Sequence, residues 1–228
     1  MRNEQIGDCT LYLGDCLTVM RQIANVDAVL TDPPYGIRAD ENPVRGVHRY
    51  TKTSWDRDRP EPAVFQEILK IAPQQIIWGG NYFADLLPPS MRWLIWDKGT
   101  RDFSLADCEL AWTSQSRAAR IFSYSRAKAN QDGKQHPTQK PLALMRWCLE
   151  FIKDAEVVLD PFMGSGTTGV ACAKAGRKFV GIEINEEYFN VACERIRKAY
   201  AQPDMFIASP VNDNTKPISL FDTPANAA

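Results

Sequence analysis

The sequence predicts an α/β fold in which a mostly parallel central sheet carries helices on both faces. Three short apolar runs, at residues 27–31, 156–159 and 178–182, each lead into an acidic residue. Segments with helical periodicity lie between such runs, and this alternation is typical of parallel sheets. Ligands bind such sheets at the carboxyl ends of the strands, so the three acidic positions are expected to meet at one crevice.

Apolar periodicity predicts the remaining elements. Further strands are expected at Gln75–Trp78, Arg92–Trp96 and Cys108–Trp112, and further helices at Glu61–Ile71 and Pro141–Lys153. Two more helices follow the second and third acidic runs. The first is expected to run to about Lys174 with Gly176 as its C-terminal cap, and the second to about Ala199.

The chain is expected to form one folded domain at residues 1–202 and a disordered tail at residues 203–228. Its 228 residues suffice for one substantial core, and the tail is rich in Pro, Asn, Asp and Thr. No apolar run is long enough to span a membrane and the N-terminus has no signal-type stretch, so we expect a cytoplasmic protein. Six scattered cysteines without a CxxC pair and only two histidines give no metal-ligand spacing, and no metal is predicted.

A glycine-rich loop follows the second acidic run. The pattern Gly164-x-Gly166-x-x-Gly169 stands between a predicted strand and a predicted helix, and Glu183 lies nineteen residues after Gly164. A carboxylate at that spacing accepts hydrogen bonds from ribose hydroxyls, so the loop predicts a cofactor that contains adenosine. No Gly-Lys-Ser/Thr is present, which argues against an ATPase loop. S-adenosylmethionine has no phosphate and needs neither that lysine nor a metal.

The position of this loop in the chain favours a permuted sheet. Too few residues follow the loop to complete the sheet, so the missing strands are expected from the N-terminal half. This order argues against a nicotinamide-dependent oxidoreductase, an alternative that the glycine pattern alone supports.

The first acidic run ends in a proline-stiffened corner, Asp32-Pro33-Pro34-Tyr35. The prolines fix the backbone and leave carbonyls without a partner in the strand. This corner combines a carboxylate, a carbonyl and an aromatic ring. Such a set can bind a planar base through its amino group. Tyr35 is expected to stack on the base, a contact of about 1–3 kcal/mol.

Together, these motifs resemble those of the β-class DNA amino-methyltransferases. The DPPY corner precedes HPTQKP, VLDPFMGSGTT and GIEI, and the resemblance covers about residues 7–200. It implies a Rossmann-like, S-adenosylmethionine-dependent methyltransferase fold with permuted motif order. It also implies that the catalytic residues are Asp32, Pro33, Pro34 and Tyr35.

The resemblance further implies a set of cofactor contacts. Asp15, in the segment LGDCL, is expected near the cofactor's adenine, Glu183 at its ribose, and Thr138 and Lys140 at its carboxylate. The complete implied set is Asp15, Cys16, Asp32, Thr138, Lys140, Asp160, Pro161, Phe162, Gly164, Ser165, Gly166, Thr167 and Glu183.

The aspartate before Pro-Pro-Tyr favours N6 of adenine in double-stranded DNA as the methyl acceptor. Methylation of cytosine N4 stays open as the runner-up, followed by adenine in RNA. A DNA-binding module on an inactive methyltransferase fold is the alternative from another class, and the intact Asp32, Tyr35, Gly164 and Glu183 argue against it.

Basic side chains are concentrated in two segments that the sequence presents as target-recognition loops, 36–60 and 113–135, although the net charge is −1. Residues 113–140 carry six Lys or Arg against one acid. DNA contacts are therefore predicted for Arg38, Arg45, Arg49, Lys52, Arg117, Arg120, Arg126 and Lys128. Because these segments are short, we expect short or relaxed sequence specificity.

The tail contains one apolar island, Ile218–Phe221, preceded by Lys216-Pro217. It resembles the short peptide by which bacterial DNA-processing proteins hold the replication sliding clamp, with Pro217 in place of the usual glutamine. A contact with that clamp is one hypothesis, and folding of the segment onto its own domain is the alternative. The oligomeric state, monomer or dimer, is left open by the sequence.

Overall fold

A computed structural model describes residues 2–37, 56–101, 106–125, 128–129 and 139–202. Most of the loop 36–60 lies outside these ranges, as does the whole tail with Ile218–Phe221. The described ranges contain nine strands: β1 (Arg2–Ile6), β2 (Cys9–Leu13), β3 (Ala28–Thr31), β4 (Gln74–Trp78), β5 (Trp93–Asp97), β6 (Cys108–Thr113), β7 (Arg120–Ser123), β8 (Val157–Asp160) and β9 (Lys178–Glu183).

The described ranges contain five helices, α1 (Cys16–Met20), α2 (Pro62–Ile71), α3 (Leu142–Leu149), α4 (Thr167–Lys174) and α5 (Glu186–Ala201), with short 3-10 turns at Gly80–Tyr82 and Glu150–Ile152. Helices α2 to α5 agree with the predicted ones within a few residues, whereas α1 was not predicted. Helix α4 ends before Gly176, whose φ of 65° is the left-handed conformation expected of a glycine that follows a helix. None of the helices in the described ranges is long and apolar enough to cross a membrane.

One mostly parallel sheet contains all of these strands, in the order β1-β2-β9-β8-β3-β4-β6-β5-β7. Only β1 and β6 run against the others. The DPPY strand β3 therefore lies directly beside β8, the strand of the glycine loop, although the paired residues Ala28 and Val158 are 130 positions apart in the sequence.

Helices cover both faces, as the sequence predicts. Side chains alternate along the strands, so that Leu30 packs with the cluster under α3, α4 and α5 whereas Val29 packs with the cluster under α1 and α2. Phe189 and Ile196 of α5 are fully buried on the first face, and Phe65 of α2 is buried on the second. These two apolar layers hold the carboxyl ends of the central strands in fixed positions.

The structure corrects the prediction at two places. The N-terminal elements β1, β2 and α1 were not expected. Strand β1 is a polar and largely exposed edge strand that shows no apolar run. The segment 113–135 is not a loop throughout, since it holds the last residue of β6 and the whole of β7. Strand β7 pairs in parallel with β5, and its mostly exposed, polar sequence hides this pairing from the sequence pattern.

Asp160 links the two halves of the sheet at the end of β8. Its Oδ1 accepts hydrogen bonds from the Thr31 hydroxyl at 2.7 Å and from the Phe162 amide at 3.1 Å, and its Oδ2 accepts one from the Thr168 hydroxyl at 2.7 Å. Burial raises the pKa of Asp160 to about 6, against the opposing effect of the two hydroxyls. The folded state therefore binds a proton here more readily than the unfolded chain does.

Asp160→Asn is expected to change how the free energy of unfolding depends on pH. The raised pKa means that the stability contributed by Asp160 is greatest below about pH 4 and is lost as the pH rises through about 6. The variant has no charge to bury, so its stability relative to wild type should increase by roughly 2–3 kcal/mol between pH 4 and pH 7. Urea unfolding at both pH values measures this, with Asp154→Asn at the surface as control. A stability difference that does not change with pH would contradict the assignment.

Candidate active site

The carboxyl ends of β3, β4, β8 and β9 surround a cavity of about 400 Å³. The three acidic ends expected to converge do so, because Asp32, Asp160 and Glu183 all line it. The other predicted residues in its lining are Pro33, Pro34, Tyr35, Lys140, Phe162, Gly164, Ser165 and Thr167. One edge of the sheet thus brings the DPPY corner and the glycine loop into a single site.

The two oxygens of the Asp32 carboxylate have different partners. Oδ1 accepts a hydrogen bond from the Tyr35 hydroxyl at 2.5 Å, and Oδ2 accepts one from the Lys140 ammonium at 2.5 Å. Lys140 Nζ is also 3.2 Å from the Tyr35 hydroxyl oxygen. The sequence places Lys140 at a cofactor carboxylate, whereas the structure brings it to the carboxylate of the DPPY corner.

Two charged residues continue this contact along the cavity wall. Glu109 of β6 lies 3.0 Å from Lys140 Nζ, and Lys98 Nζ lies 2.7 Å from the other oxygen of Glu109. Burial raises the pKa of Asp32, an effect that Lys140 partly offsets. Burial also acts to raise the pKa of Glu109, but Lys140 and Lys98 outweigh it and hold this pKa well below its usual range.

The backbone of the DPPY corner is held by Asp56. This fully buried carboxylate accepts hydrogen bonds from the amides of Tyr35 at 2.6 Å and Gly36 at 3.0 Å. Two amide donors on one carboxylate oxygen fix the turn that follows the prolines. Asp56 therefore sets the direction in which the Tyr35 side chain leaves the corner.

The Tyr35 ring is packed on more than one side. Tyr82 stacks on it with ring centroids 4.7 Å apart and an interplanar angle of 15°, and Phe83 meets it edge-on at 6.1 Å. Gly79 has a φ of 71°, and a Cβ there would lie 2.1 Å from a ring carbon of Tyr35. The Tyr35 ring occupies this position only because residue 79 is glycine.

The glycine loop is fixed by Glu183 and Arg195. The Glu183 carboxylate accepts the amides of Gly164 at 2.9 Å and Asn185 at 2.8 Å, and burial raises its pKa. Arg195 of α5 donates to the carbonyl of Ser165 at 2.5 Å and to its hydroxyl at 2.9 Å. Burial lowers the pKa of Arg195 to about 10, still far above neutrality, so the guanidinium stays charged.

Four residues predicted to bind cofactor do not line the cavity: Asp15, Cys16, Pro161 and Gly166. Asp15 caps α1, where its Oδ1 accepts from the amide and the hydroxyl of Thr18 at 2.8 and 2.7 Å. Gly166 packs against α5, since a Cβ there would lie 2.8 Å from that of Ala192. Thr138 lies outside the described residues.

The predicted DNA-contacting residues are not gathered on one face. Arg120 pairs with Leu94 at the beginning of β5, so it lies at the amino edge of the sheet, opposite the cavity. Arg117 precedes it at that edge, whereas Lys128 follows β7 and lies over the Tyr124 ring, 5.8 Å from its centroid. The others, Arg38, Arg45, Arg49, Lys52 and Arg126, lie outside the described residues.

Sequence reasoning missed Asp56, Gly79, Lys98 and Glu109. Glu109 and Lys98 did carry a signal, because a charge within or next to an apolar strand needs a partner. Asp56 and Gly79 are distant in sequence from the residues they support and gave no comparable signal. In the described part of the chain, no group of three or more His, Cys, Asp or Glu side chains is arranged to hold a metal ion.

Comparison with known proteins identifies the family. A family model described as DNA methylase matches residues 77–194, which is more than half of the chain. The chain belongs to the DNA methylase family. Among its relatives, Type II methyltransferase M2.DpnII of Streptococcus pneumoniae is 27% identical over 226 aligned positions, which cover 75% of this chain and 82% of the relative.

Solved structures of DNA methylases share the fold. The M1.HpyAVI complex with SAM has a TM-score of 0.53 and 26% identity, over 82% of this chain and 99% of that one. The cytosine-N4-specific PvuII DNA methyltransferase has a TM-score of 0.56 and 15% identity, over 86% of this chain and 93% of that one. The predicted S-adenosylmethionine-dependent methyltransferase fold is confirmed. The chain is therefore a DNA methyltransferase, and its target atom is a separate question.

Gly79→Ala in this DNA methylase is expected to lose more stability than Gly99→Ala. Both glycines have left-handed φ values, 71° and 65°, so both substitutions carry a backbone cost of about 1–2 kcal/mol. Among the described residues, no atom lies within 4 Å of a Cβ at position 99, whereas one at position 79 overlaps the Tyr35 ring. Gly79→Ala should therefore cost at least about 1–3 kcal/mol more in urea unfolding. Equal losses would show that the Tyr35 contact is not tight.

Proposed function

We propose that this DNA methylase transfers a methyl group from S-adenosylmethionine to N6 of adenine in double-stranded DNA. One observation carries the proposal: the Asp32 carboxylate at the DPPY corner and the glycine loop with Glu183 line the same cavity. A base bound at the DPPY corner and a methyl donor bound at the glycine loop would therefore occupy the same cavity. In-line transfer between them needs no further group.

The residues of the cavity fit the donor. An added Cβ at Gly164 would meet no atom of the described residues within 4 Å, so this part of the loop leaves room for a ligand. Glu183 stands beside it to accept ribose hydroxyls, and Ile184, 74% exposed, offers an apolar surface on the same lining. When bound, S-adenosylmethionine supplies an electrophilic methyl group on a positively charged sulfur. The carboxylates of Asp32 and Glu183 suit that charge.

The DPPY corner prepares the amine. Adenine N6 is a weak nucleophile because its lone pair is delocalised into the ring. Each oxygen of an ionised carboxylate has two acceptor sites, so Asp32 accepts an amine hydrogen in addition to its bonds from Tyr35 and Lys140. With the Pro33 carbonyl accepting the second hydrogen, the nitrogen becomes more tetrahedral and its lone pair points at the methyl group. Attack of this nitrogen on the methyl carbon would break the carbon–sulfur bond, whose electron pair would stay on sulfur, and the excess proton of the methylated amine would pass to Asp32 or to water.

Aromatic residues at the cavity complete the base site. Tyr82 stacks on one face of the Tyr35 ring, and both residues line the cavity, so aromatic side chains are available to contact a flipped base. The target has to leave the duplex, because a stacked base does not reach a pocket of this kind. Of the described residues proposed to contact DNA, Lys128 follows the carboxyl end of β7, whereas Arg117 and Arg120 lie at the opposite edge of the sheet.

The aspartate of DPPY supports adenine over cytosine. The β-class assignment rests on the order of the motifs, with DPPY before the glycine loop. N4 of cytosine is the second candidate, favoured by the fold shared with the cytosine-N4-specific PvuII enzyme. Both amines present the same hydrogens to Asp32. Resemblance to a Type II methyltransferase further supports a role in protecting DNA beside a restriction enzyme.

Asp32→Ala is expected to abolish methyl transfer and to leave binding of S-adenosylmethionine within a few-fold of wild type. Unmethylated DNA is incubated with the wild type and with the variant, digested to nucleosides and examined by mass spectrometry. Wild type should produce N6-methyladenine. Production of N4-methylcytosine instead would support the second candidate. Near-normal turnover by Asp32→Ala would refute the role assigned to Asp32 in holding the amino group. Asp154→Ala, at an exposed turn far from the cavity, is the matched control.

Glu183→Gln is expected to weaken binding of S-adenosylmethionine. The substitution keeps the volume of the side chain but removes the charge that strengthens hydrogen bonds to the ribose. The loss should be about 1.5–3 kcal/mol in binding free energy, measured by isothermal titration calorimetry. Glu187→Gln, on the outer part of α5, is the control, and unchanged affinity in Glu183→Gln would place the ribose elsewhere.

A further inference from the structure

Four charged side chains form a continuous chain along the wall of the cavity. Lys98 contacts Glu109 at 2.7 Å, Glu109 contacts Lys140 at 3.0 Å, and Lys140 contacts Asp32 at 2.5 Å. The charges alternate in sign and sum to zero. The side chains of Lys140 and Lys98 are only 5% and 11% exposed, so solvent screens these contacts weakly.

Stability alone gives little reason for this arrangement. Buried ion pairs contribute little net stability relative to apolar residues of the same size, because each charge loses its hydration. Glu109 is a charged residue within β6, and its partner Lys98 follows β5 directly. The chain of charges ends at Asp32, the carboxylate on which the proposed chemistry depends.

The neighbours of Asp32 come from four parts of the fold. The titratable and charged groups that act on it are Tyr35 of its own corner, Lys140 before α3, and Glu109 of β6. Asp160 of β8 senses the Asp32 charge, and Tyr82 acts on Tyr35. Asp56 is bonded to the corner's backbone, and Lys98 acts through Glu109.

We propose that Glu109 and Lys98 are positioning residues for methyl transfer, which fix the Lys140 ammonium against Asp32 and set the pH at which Asp32 becomes ionised. This inference rests on the proposed function, because it gives the Asp32 carboxylate the task of accepting amine hydrogens. Neither Glu109 nor Lys98 needs to contact the base. Glu109 holds the Lys140 ammonium, which stands between the two carboxylates, and its charge also acts on Asp32 directly, whereas Lys98 acts through Glu109.

The alternation of charge gives the proposal a distinctive signature. Methyl transfer requires ionised Asp32, so the rate falls as the pH drops through the pKa of this residue. Removing the negative charge of Glu109 stabilises the ionised form of Asp32 and moves the acid limb of the pH profile to lower pH. Removing the positive charge of Lys98 has the opposite effect. A residue that only supports the fold would lower the rate without moving the limb.

The experiment compares single-turnover methyl transfer by the full chain across pH in wild type, Glu109→Gln and Lys98→Met. In Glu109→Gln the acid limb of the pH–rate profile should move down by about one pH unit. At a fixed pH below the acid limbs of both proteins, this variant should then react about tenfold faster than wild type. The acid limb should move up by a smaller amount in Lys98→Met. In the double variant the two shifts should largely cancel, and this keeps the test decisive if one single variant folds poorly.

A second measurement needs no catalysis. The Asp32 carboxyl is titrated by NMR in protein labelled with ¹³C-aspartate, with its signal assigned by its loss in Asp32→Asn. The same two substitutions should move this titration in the same opposite directions. If wild type transferred no methyl group, the proposed function would fail, and the NMR titration would still decide whether Glu109 and Lys98 act on Asp32.

The surface pair Glu194 and Lys198 provides matched controls. Their side chains lie 2.6 Å apart on α5 and are 66% and 69% exposed. Glu194→Gln and Lys198→Met change the same charges and should leave both the acid limb and the NMR titration in place. Shifts of the same sign in Glu109→Gln and Lys98→Met, or no shift in either, would overturn the proposal.

Discussion

The ion pair between Lys140 and Asp32 organises the site. It joins the DPPY corner, in the first half of the chain, to the segment that opens α3 in the second half, at 2.5 Å. A carboxylate at a strand end inside a cavity is costly to ionise, since burial favours the neutral acid. The ammonium offsets this cost without occupying the second acceptor sites of the carboxylate. Asp32 is thereby available as a charged acceptor for an amine.

The cost of burying a carboxylate is offset differently at Asp160 and Glu183. Asp160 has two hydroxyls and one amide but no cation, and its pKa rises to about 6. Glu183 depends on two backbone amides. Of Asp32, Asp160 and Glu183, Asp32 is the one paired with a buried cation, and it stands at the corner where the proposed chemistry takes place. The distribution of partners thus separates the carboxylate proposed to act on substrate from those that hold the fold and the glycine loop.

The position of the basic residues follows from strand direction. Parallel strands bring their carboxyl ends to the cavity, and the amino ends of the same strands lie across the sheet. Arg120 begins a strand that runs parallel to β5, so it lies far from the opening, whereas Lys128 lies beyond the end of that strand. These basic residues are close in sequence, but they do not form one continuous surface. Of the described residues predicted to contact DNA, Lys128 lies beyond the carboxyl end of β7, and its ammonium lies over the Tyr124 ring.

The sequence by itself determined the α/β class, the mostly parallel sheet, the positions of helices α2 to α5 and the convergence of Asp32, Asp160 and Glu183, because apolar periodicity and loop chemistry are local properties. It did not reveal β1, β2, α1 and β7, and of these β1 and β7 are polar edge strands without a periodic apolar face. Only the tertiary structure decided that Lys140 faces Asp32, that Glu109 and Lys98 follow it, and that Gly79 admits the Tyr35 ring. These contacts join residues distant in sequence, and their energies depend on burial and distance, which a local pattern does not encode.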